Sequence, residues 1–129
     1  MTKLLNVLWT RELQRRLSED DKTSILCITL DPGSVFTEGS YTAAARFPAF
    51  MRSTLIGLAK LAMRSVSQGA GTPVIAATTP EARKNVALYK GAYLEPIGKM
   101  GKASKSASDA ALAKELWTCT ENILSEMNL

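Results

Sequence analysis

The sequence predicts an α/β protein built on a parallel sheet, and three observations carry that prediction. An amphipathic helical pattern from Lys3 to Leu17 is followed, after a short charged segment, by the continuously apolar run Ser24 to Leu30. A strand that is apolar at successive positions is suited to burial on both faces, as happens when helices cover a parallel sheet. The composition, 46% hydrophobic and 22% charged over 129 residues, excludes wholesale disorder and limits the chain to about one small domain.

In the first helix, Leu5, Leu8, Trp9, Leu13 and Leu17 recur at helical spacing, with Arg11, Arg15 and Arg16 on the other side. The polar run Ser18 to Lys22 lacks that periodicity and reads as the loop ending the helix. The strand Ser24 to Leu30 is rich in β-branched residues and stops at Asp31-Pro32-Gly33. Gly39 to Phe50 shows little periodicity and predicts an irregular, mobile loop, after which Leu55, Leu58, Ala59, Ala62 and Met63 predict a helix over Met51 to Val66. Ser65-Val66-Ser67-Gln68 fits a capping box that starts a further helix reaching about Thr78, with Pro73 predicting a kink or a late start. Ala92 to Leu94 reads as one short strand, and residues 98–106, rich in Gly, Lys and Ser, as a flexible loop. A final amphipathic helix is expected from an N-cap at Ser108, through Leu112, Leu116, Trp117, Ile123, Leu124 and Met127. The total is about four helices and two strands, and two strands alone seldom make a stable sheet.

Composition excludes several functions. The chain has no histidine and only two cysteines, Cys27 and Cys119, without metal-ligand spacing, so no metal site is expected and both thiols read as reduced and packed. The apolar runs fall far short of the roughly 20 residues of a membrane-spanning helix, and the start of the chain is too quickly interrupted by charge for a secretory leader. A cytoplasmic location follows as an expectation. The net charge of +4 is concentrated in Arg83, Lys84, Lys90, Lys99, Lys102 and Lys105. Without interleaved aromatics or a recognition motif this reads as a solvated face, and no nucleic-acid partner is expected.

Four stretches, the third of them in two parts, resemble, in order, the short-chain dehydrogenase/reductase family, and within it the retinol-dehydrogenase-like group. Met1 to Leu8 resembles the helix that carries the Tyr-x-x-x-Lys motif with Ser before the lysine and Leu-Ala-Asn after it, which makes Lys3 the counterpart of the catalytic lysine. Leu30 to Glu38 is similar to the Pro-Gly-x-x-x-Thr segment that wraps the nicotinamide end of the cofactor. Lys3, Pro32, Gly33, Val35 and Thr37 are then the cofactor-binding positions. Asp31, where this group often has histidine, and Ser34 and Phe36, where small aliphatics are common, depart from the pattern. Ser65 to Ala77 looks like the helix before the family's last strand, Gly91-Ala92-Tyr93 like that strand, and Ala107 to Trp117 like the closing helix.

The resemblance implies that residues 1–129 are the C-terminal portion of one NAD(P)-binding Rossmann-like domain, an incomplete doubly wound parallel sheet. It also implies an NAD(P)(H)-dependent oxidoreductase acting on a small-molecule alcohol/carbonyl pair. In that family a tyrosine four positions before the lysine is the acid or base, and the lysine lowers its pKa and holds the nicotinamide ribose. That tyrosine position falls before Met1, and none of the eight glycines forms the Gly-x-x-x-Gly-x-Gly turn that holds the pyrophosphate. The expectation is a truncated chain that does not catalyse alone, with cofactor binding reduced to a half-site. The irregular stretch Gly39 to Phe50, with Tyr41 and Phe50, would be the substrate loop. The competing reading, from a different class, is a non-catalytic module that docks on a partner through an exposed sheet edge.

Overall fold

A computed structural model describes residues 2–20 and 24–127. The elements run α1 (Thr2–Glu19), β1 (Thr29–Leu30), α2 (Glu38–Ala44), α3 (Ala49–Ala62), α4 (Val66–Thr78), α5 (Pro80–Lys84), α6 (Val86–Tyr89), β2 (Tyr93–Glu95), β3 (Lys99–Met100) and α7 (Ala110–Glu126). Short 3-10 turns cover Pro96–Gly98 and Ser106–Ser108. The strands form one sheet in the order β1-β2-β3. The chain divides into two compact units, one of residues up to 29, 79–94 and 100 onward, the other of residues 30–78 and 95–99.

In the first unit α1 packs on α7, and of its expected stripe Leu5, Leu8, Trp9, Leu13 and Leu17 only Leu8 is fully buried, while Arg16, expected on the other side, lies over Trp117 of α7. Leu8 is 1% exposed and Val7 and Ala113 are buried with it. The Trp9 and Trp117 rings stack with centroids 4.1 Å apart, and the Arg16 guanidinium lies 4.5 Å from the Trp117 ring centre. Both tryptophans are therefore packing residues, as their helical positions suggested. The polar side of α1 is internally paired. Glu12, only 2% exposed, accepts from Arg15 at 2.8 and 2.7 Å and from Arg16 at 2.9 Å. Those hydrogen bonds, led by Arg15 and opposed by burial, hold the Glu12 carboxyl down at about 2.

The run Ser24 to Leu30 corrects the expectation of a fully buried seven-residue strand: only Thr29 and Leu30 have strand structure, and Ile25 is 57% exposed. The reason is where its backbone bonds go. The Cys27 carbonyl accepts from Gly91 at 3.1 Å and the Thr29 amide donates to Ala92 at 2.9 Å. The buried Gln14 side chain takes the Cys27 amide at 2.7 Å and donates to the Ile25 carbonyl at 3.4 Å. A helix side chain thus substitutes for a neighbouring strand.

The two pairings 27 with 91 and 29 with 92 advance together, so β1 and β2 are parallel, in keeping with the expected parallel sheet. The three-residue connection from β2 to β3 permits only an antiparallel return, and the Gly101 amide donates to the Tyr93 carbonyl at 2.8 Å. Among the described residues there are thus three strands and seven α-helices, against two and four expected. The extra strand lies inside residues 98–106, which the Gly/Lys/Ser composition made look like a loop. At two residues it needs no apolar periodicity to form.

Helix α7 starts one residue later than predicted. Ser108 closes a 3-10 turn, and Asp109 is the N-cap, its Oδ1 accepting the Ala111 and Leu112 amides at 2.9 and 3.1 Å. The Asp109 carboxylate at the positive helix end does what the serine hydroxyl was expected to do. The expected loop Ser18 to Lys22 begins only at Asp20, and Asp21 and Lys22 lie outside the described residues.

In the second unit α4 is the scaffold. Its capping box is present: the Gln68 amide donates to Ser65 Oγ at 3.3 Å and the Ser65 amide to Gln68 Oε1 at 3.0 Å. The helix starts at Val66 and runs through Pro73, so no late start occurs. The stretch 39–50, expected to be irregular, is instead α2 and the start of α3. The Ser40 hydroxyl accepts the Thr37 amide at 3.2 Å at the head of α2, and Pro48, with φ −54°, caps α3. Local capping and alanines, which no periodicity count registers, make this segment helical.

Candidate functional site

Lys3 lies in the first turn of α1 and is exposed. It lines a groove of about 260 Å³ in the first unit with Leu4, Val7, Tyr93, Lys102 and Ser104. Lys102 and Ser104 were read only as loop residues, and the one sequence signal for them is the local excess of cations.

Pro32, Gly33, Val35 and Thr37 lie together in the second unit. After the strand, Asp31 Oδ1 accepts the Gly33 amide at 2.8 Å, and Gly33 takes a φ of 76°. A Cβ there would sit 2.9 Å from Pro96 Cγ, so both handedness and space require glycine. The chain then runs alongside Arg64. The Arg64 amide donates to the Ser34 carbonyl at 2.9 Å and the Phe36 amide to the Arg64 carbonyl at 2.8 Å, an isolated parallel bridge centred on Val35. In such a bridge the flanking residues supply the bonds, so the amide and carbonyl of Val35 itself face the opposite side.

The Val35 side chain meets α4 at Gly69, where a Cβ would fall 2.5 Å from Val35 Cγ2. Neither Arg64 nor Gly69 is recognisable from the sequence as support for this segment. The only signal was Gly69 inside an otherwise good helix. Thr37 is exposed at the head of α2. Phe36 packs edge-on against Tyr41 with centroids 5.1 Å apart, and Lys60 Nζ is 5.8 Å from each ring centre. Tyr41 and Phe36 therefore form a cluster of their own, whereas Phe50 is 80% exposed.

The cysteines separate. Cys27 is half-buried, and burial raises its thiol pKa. Cys119 is exposed, which corrects the expectation of a packed thiol: on α7 it faces away from the α1 contact. Among the described residues no group of three or more His, Cys, Asp and Glu could hold a metal ion. No helix of the structure is long and apolar enough to cross a membrane.

Neither a protein-family model nor a solved structure matches the chain. It is 38% identical over 120 residues, 93% of its length, to short chain dehydrogenase/reductase dpfgH of Gibberella zeae, of which it covers 32%. It is likewise 38% identical over 119 residues, 92% of its length, to short chain dehydrogenase/reductase dpchH of Colletotrichum higginsianum, covering 28% of that protein. A WW domain-containing oxidoreductase of Danio rerio is 32% identical over 124 residues, 96% of this chain and 27% of that one. The chain thus spans about a third or less of the length of these relatives, while they match nearly all of it.

Proposed function

We propose that this chain is part of the NAD(P)(H)-binding domain of a short-chain dehydrogenase/reductase acting on an alcohol/carbonyl pair, its C-terminal portion in the order of the family's segments. The observation that carries the reading is the segment 31–37, in which a left-handed glycine and a bridge to Arg64 turn the Val35 amide and carbonyl outward as a donor and acceptor on one residue. The relatives named as short-chain dehydrogenase/reductases, matching across 92 to 97% of the chain, support it.

A nicotinamide carboxamide carries an NH2 group with two N–H donors and a carbonyl acceptor, so the outward acceptor and donor on Val35 can pair with one N–H and the carbonyl of that group. The exposed Thr37 stands two residues further along the same segment. Lys3, with three ammonium donors, suits ribose hydroxyls. When bound, the nicotinamide would supply or take the hydride. The chain's own residues bind and orient: Val35 holds the ring's amide, Gly33 and Pro96 fix the turn, and Lys3 places a positive charge that favours a deprotonated neighbouring acid. The 129 residues contain no Tyr-x-x-x-Lys and no Gly-x-x-x-Gly-x-Gly, so on this reading they do not turn over substrate by themselves.

Fluorescence titration of NADH and NADPH tests the proposal. Weak, millimolar binding that weakens further on Lys3→Met is the expected result. Binding indifferent to Lys3→Met, or no change in signal at millimolar cofactor, overturns the assignment of Lys3. Steady oxidation of NADPH by the chain with a carbonyl substrate would refute its inactivity. Docking through a sheet edge draws less support, because β1 and β3 are two residues each and offer a partner strand few ladder groups.

A further inference from the structure

Helix α3 presents an apolar stripe that nothing in its own unit covers. Of its 14 residues none is fully buried. Leu55, Ile56 and Ala59 are half-buried and form the face it turns toward its unit. Phe50, Leu58 and Leu61 are 80%, 59% and 87% exposed, and Met51 adds 38%. At 100° per residue, positions 50, 51, 58 and 61 fall within one third of the helix circumference. Phe47, in the turn before α3, is 48% exposed. Single exposed apolar residues are ordinary, but an aligned set led by an 80% exposed phenylalanine is a patch.

The stretch of sequence that contains the stripe carries charge of one sign. From Gly39 to Thr78 the chain contains Arg46, Arg52, Lys60 and Arg64 and not one Asp or Glu. Twelve carboxylates against sixteen cations in the whole chain make 40 residues without a carboxylate a marked asymmetry. The cations also hold the helix in place. Arg52 donates to the Phe47 and Ala45 carbonyls at 2.9 and 3.0 Å, which ties the α2–α3 turn to the start of α3. Lys60, near 280° on the wheel when Phe50 is set at 0°, lies beside the stripe rather than inside it.

We propose that α3 and the turn before it are an interfacial docking element for an anionic phospholipid bilayer, with Phe50, Leu58 and Leu61 entering the headgroup boundary and Arg46 and Lys60 meeting lipid phosphates and carboxylates. An aligned apolar stripe beside cations, on a helix too short to span, is the pattern by which helices lie in a membrane plane. A protein partner would be expected to meet some of this surface with opposite charges set at particular residues. An anionic leaflet meets any arrangement of cations near its surface. The proposal is independent of the oxidoreductase assignment and would place whatever this domain does at a membrane surface.

Sedimentation of the 129-residue chain with vesicles is the test, comparing pure phosphatidylcholine with phosphatidylcholine containing phosphatidylserine. At least tenfold stronger partitioning onto the anionic vesicles is expected, falling toward the neutral level as salt rises. The double variant Phe50→Ser/Leu61→Ser should lose most of it. Both side chains are exposed, so the far-ultraviolet circular dichroism should be unchanged, and a second variant, Arg46→Gln/Lys60→Gln, should lower anionic binding several-fold while leaving the stripe intact. Equal partitioning onto both vesicle types, or binding unaltered in either variant, overturns the proposal. So does a dimer that the serine variant abolishes in a protein that ignores vesicles.

Discussion

Replacing Gly69 by alanine should destabilise the protein, although alanine in a helix interior ordinarily helps. The helical gain is about 1 kcal/mol from reduced unfolded-state entropy and better propensity. Against it, the new Cβ would lie 2.5 Å from Val35 Cγ2, 3.1 Å from Cγ1 and 3.4 Å from the Val35 Cβ. Val35 is β-branched and held in its bridge to Arg64 on both sides, so it cannot rotate clear without placing its other methyl in the same space. Overpacking of this kind costs roughly 1–3 kcal/mol, leaving a net loss of about 1 kcal/mol and a melting temperature lower by roughly 5 °C. Gly71, two residues on in the same helix, has nothing within 4 Å of its would-be Cβ and supplies the control. Gly71→Ala should raise stability by about 0.5–1 kcal/mol. Urea and thermal denaturation of the two variants side by side decide the matter, and equal stabilisation in both would refute the packing of α4 on segment 34–36. On the proposed function, Gly69→Ala should also weaken cofactor binding, since it pushes on the residue whose backbone is turned outward.

Other expectations are as direct. Thr72→Val should cost about 1–3 kcal/mol in denaturant titration, because Thr72 is fully buried and its hydroxyl takes the Ile97 amide at 2.9 Å, which valine leaves unpaired. The Glu12 carboxyl has its folded pKa depressed, so it stabilises the fold above its unfolded pKa near 4.5 and loses that contribution as pH falls toward about 2. Glu12→Gln should flatten the acid limb of the stability curve by about 1 kcal/mol, less than the shift alone implies, because both arginines are partly exposed to water. A thiol reagent at neutral pH should label Cys119 first and Cys27 only slowly, as burial keeps the second thiol protonated. Equal labelling rates would mean that the segment around Cys27 opens freely.

The long helices were legible because each rests on periodicity or on a capping pair close in sequence, as with Lys3 to Leu17 and Ser65 with Gln68, whereas the apolar run 24–30 implied a parallel sheet without specifying that β1 pairs with β2. The strand at 24–30 was overread for a physical reason. Apolar content reports what a segment could bury, but the partners that decide strand structure are non-local, and here one of them is the Gln14 side chain. Helix α2 was missed because capping by Ser40 and two or three alanines leaves no apolar repeat. In the candidate site, the glycine, the proline and Thr37 could be read directly from the motif. Arg64 could not, because its part is played by backbone groups that any residue possesses, and Gly69 matters only through its proximity to Val35.

Helix α4 presents Gly69, Thr72 and Ile75 at three-residue intervals, and together they meet two stretches of chain, Gly69 the segment at Val35 and the other two the turn at Ile97 and Gly98. The turn at 96–98 holds Ile97 at φ 65°, a region costly for a β-branched residue, and Ile97 is 54% exposed, so burial of its side chain offsets little of that cost. The hydrogen bond to Thr72 and the fit of Gly98 on Ile75 exist only when α4 is wound. The left-handed turn should therefore be a late event in folding, following α4 rather than nucleating anything. In hydrogen exchange the Ile97 amide should open whenever the middle of α4 does, and not on its own as an ordinary loop amide would.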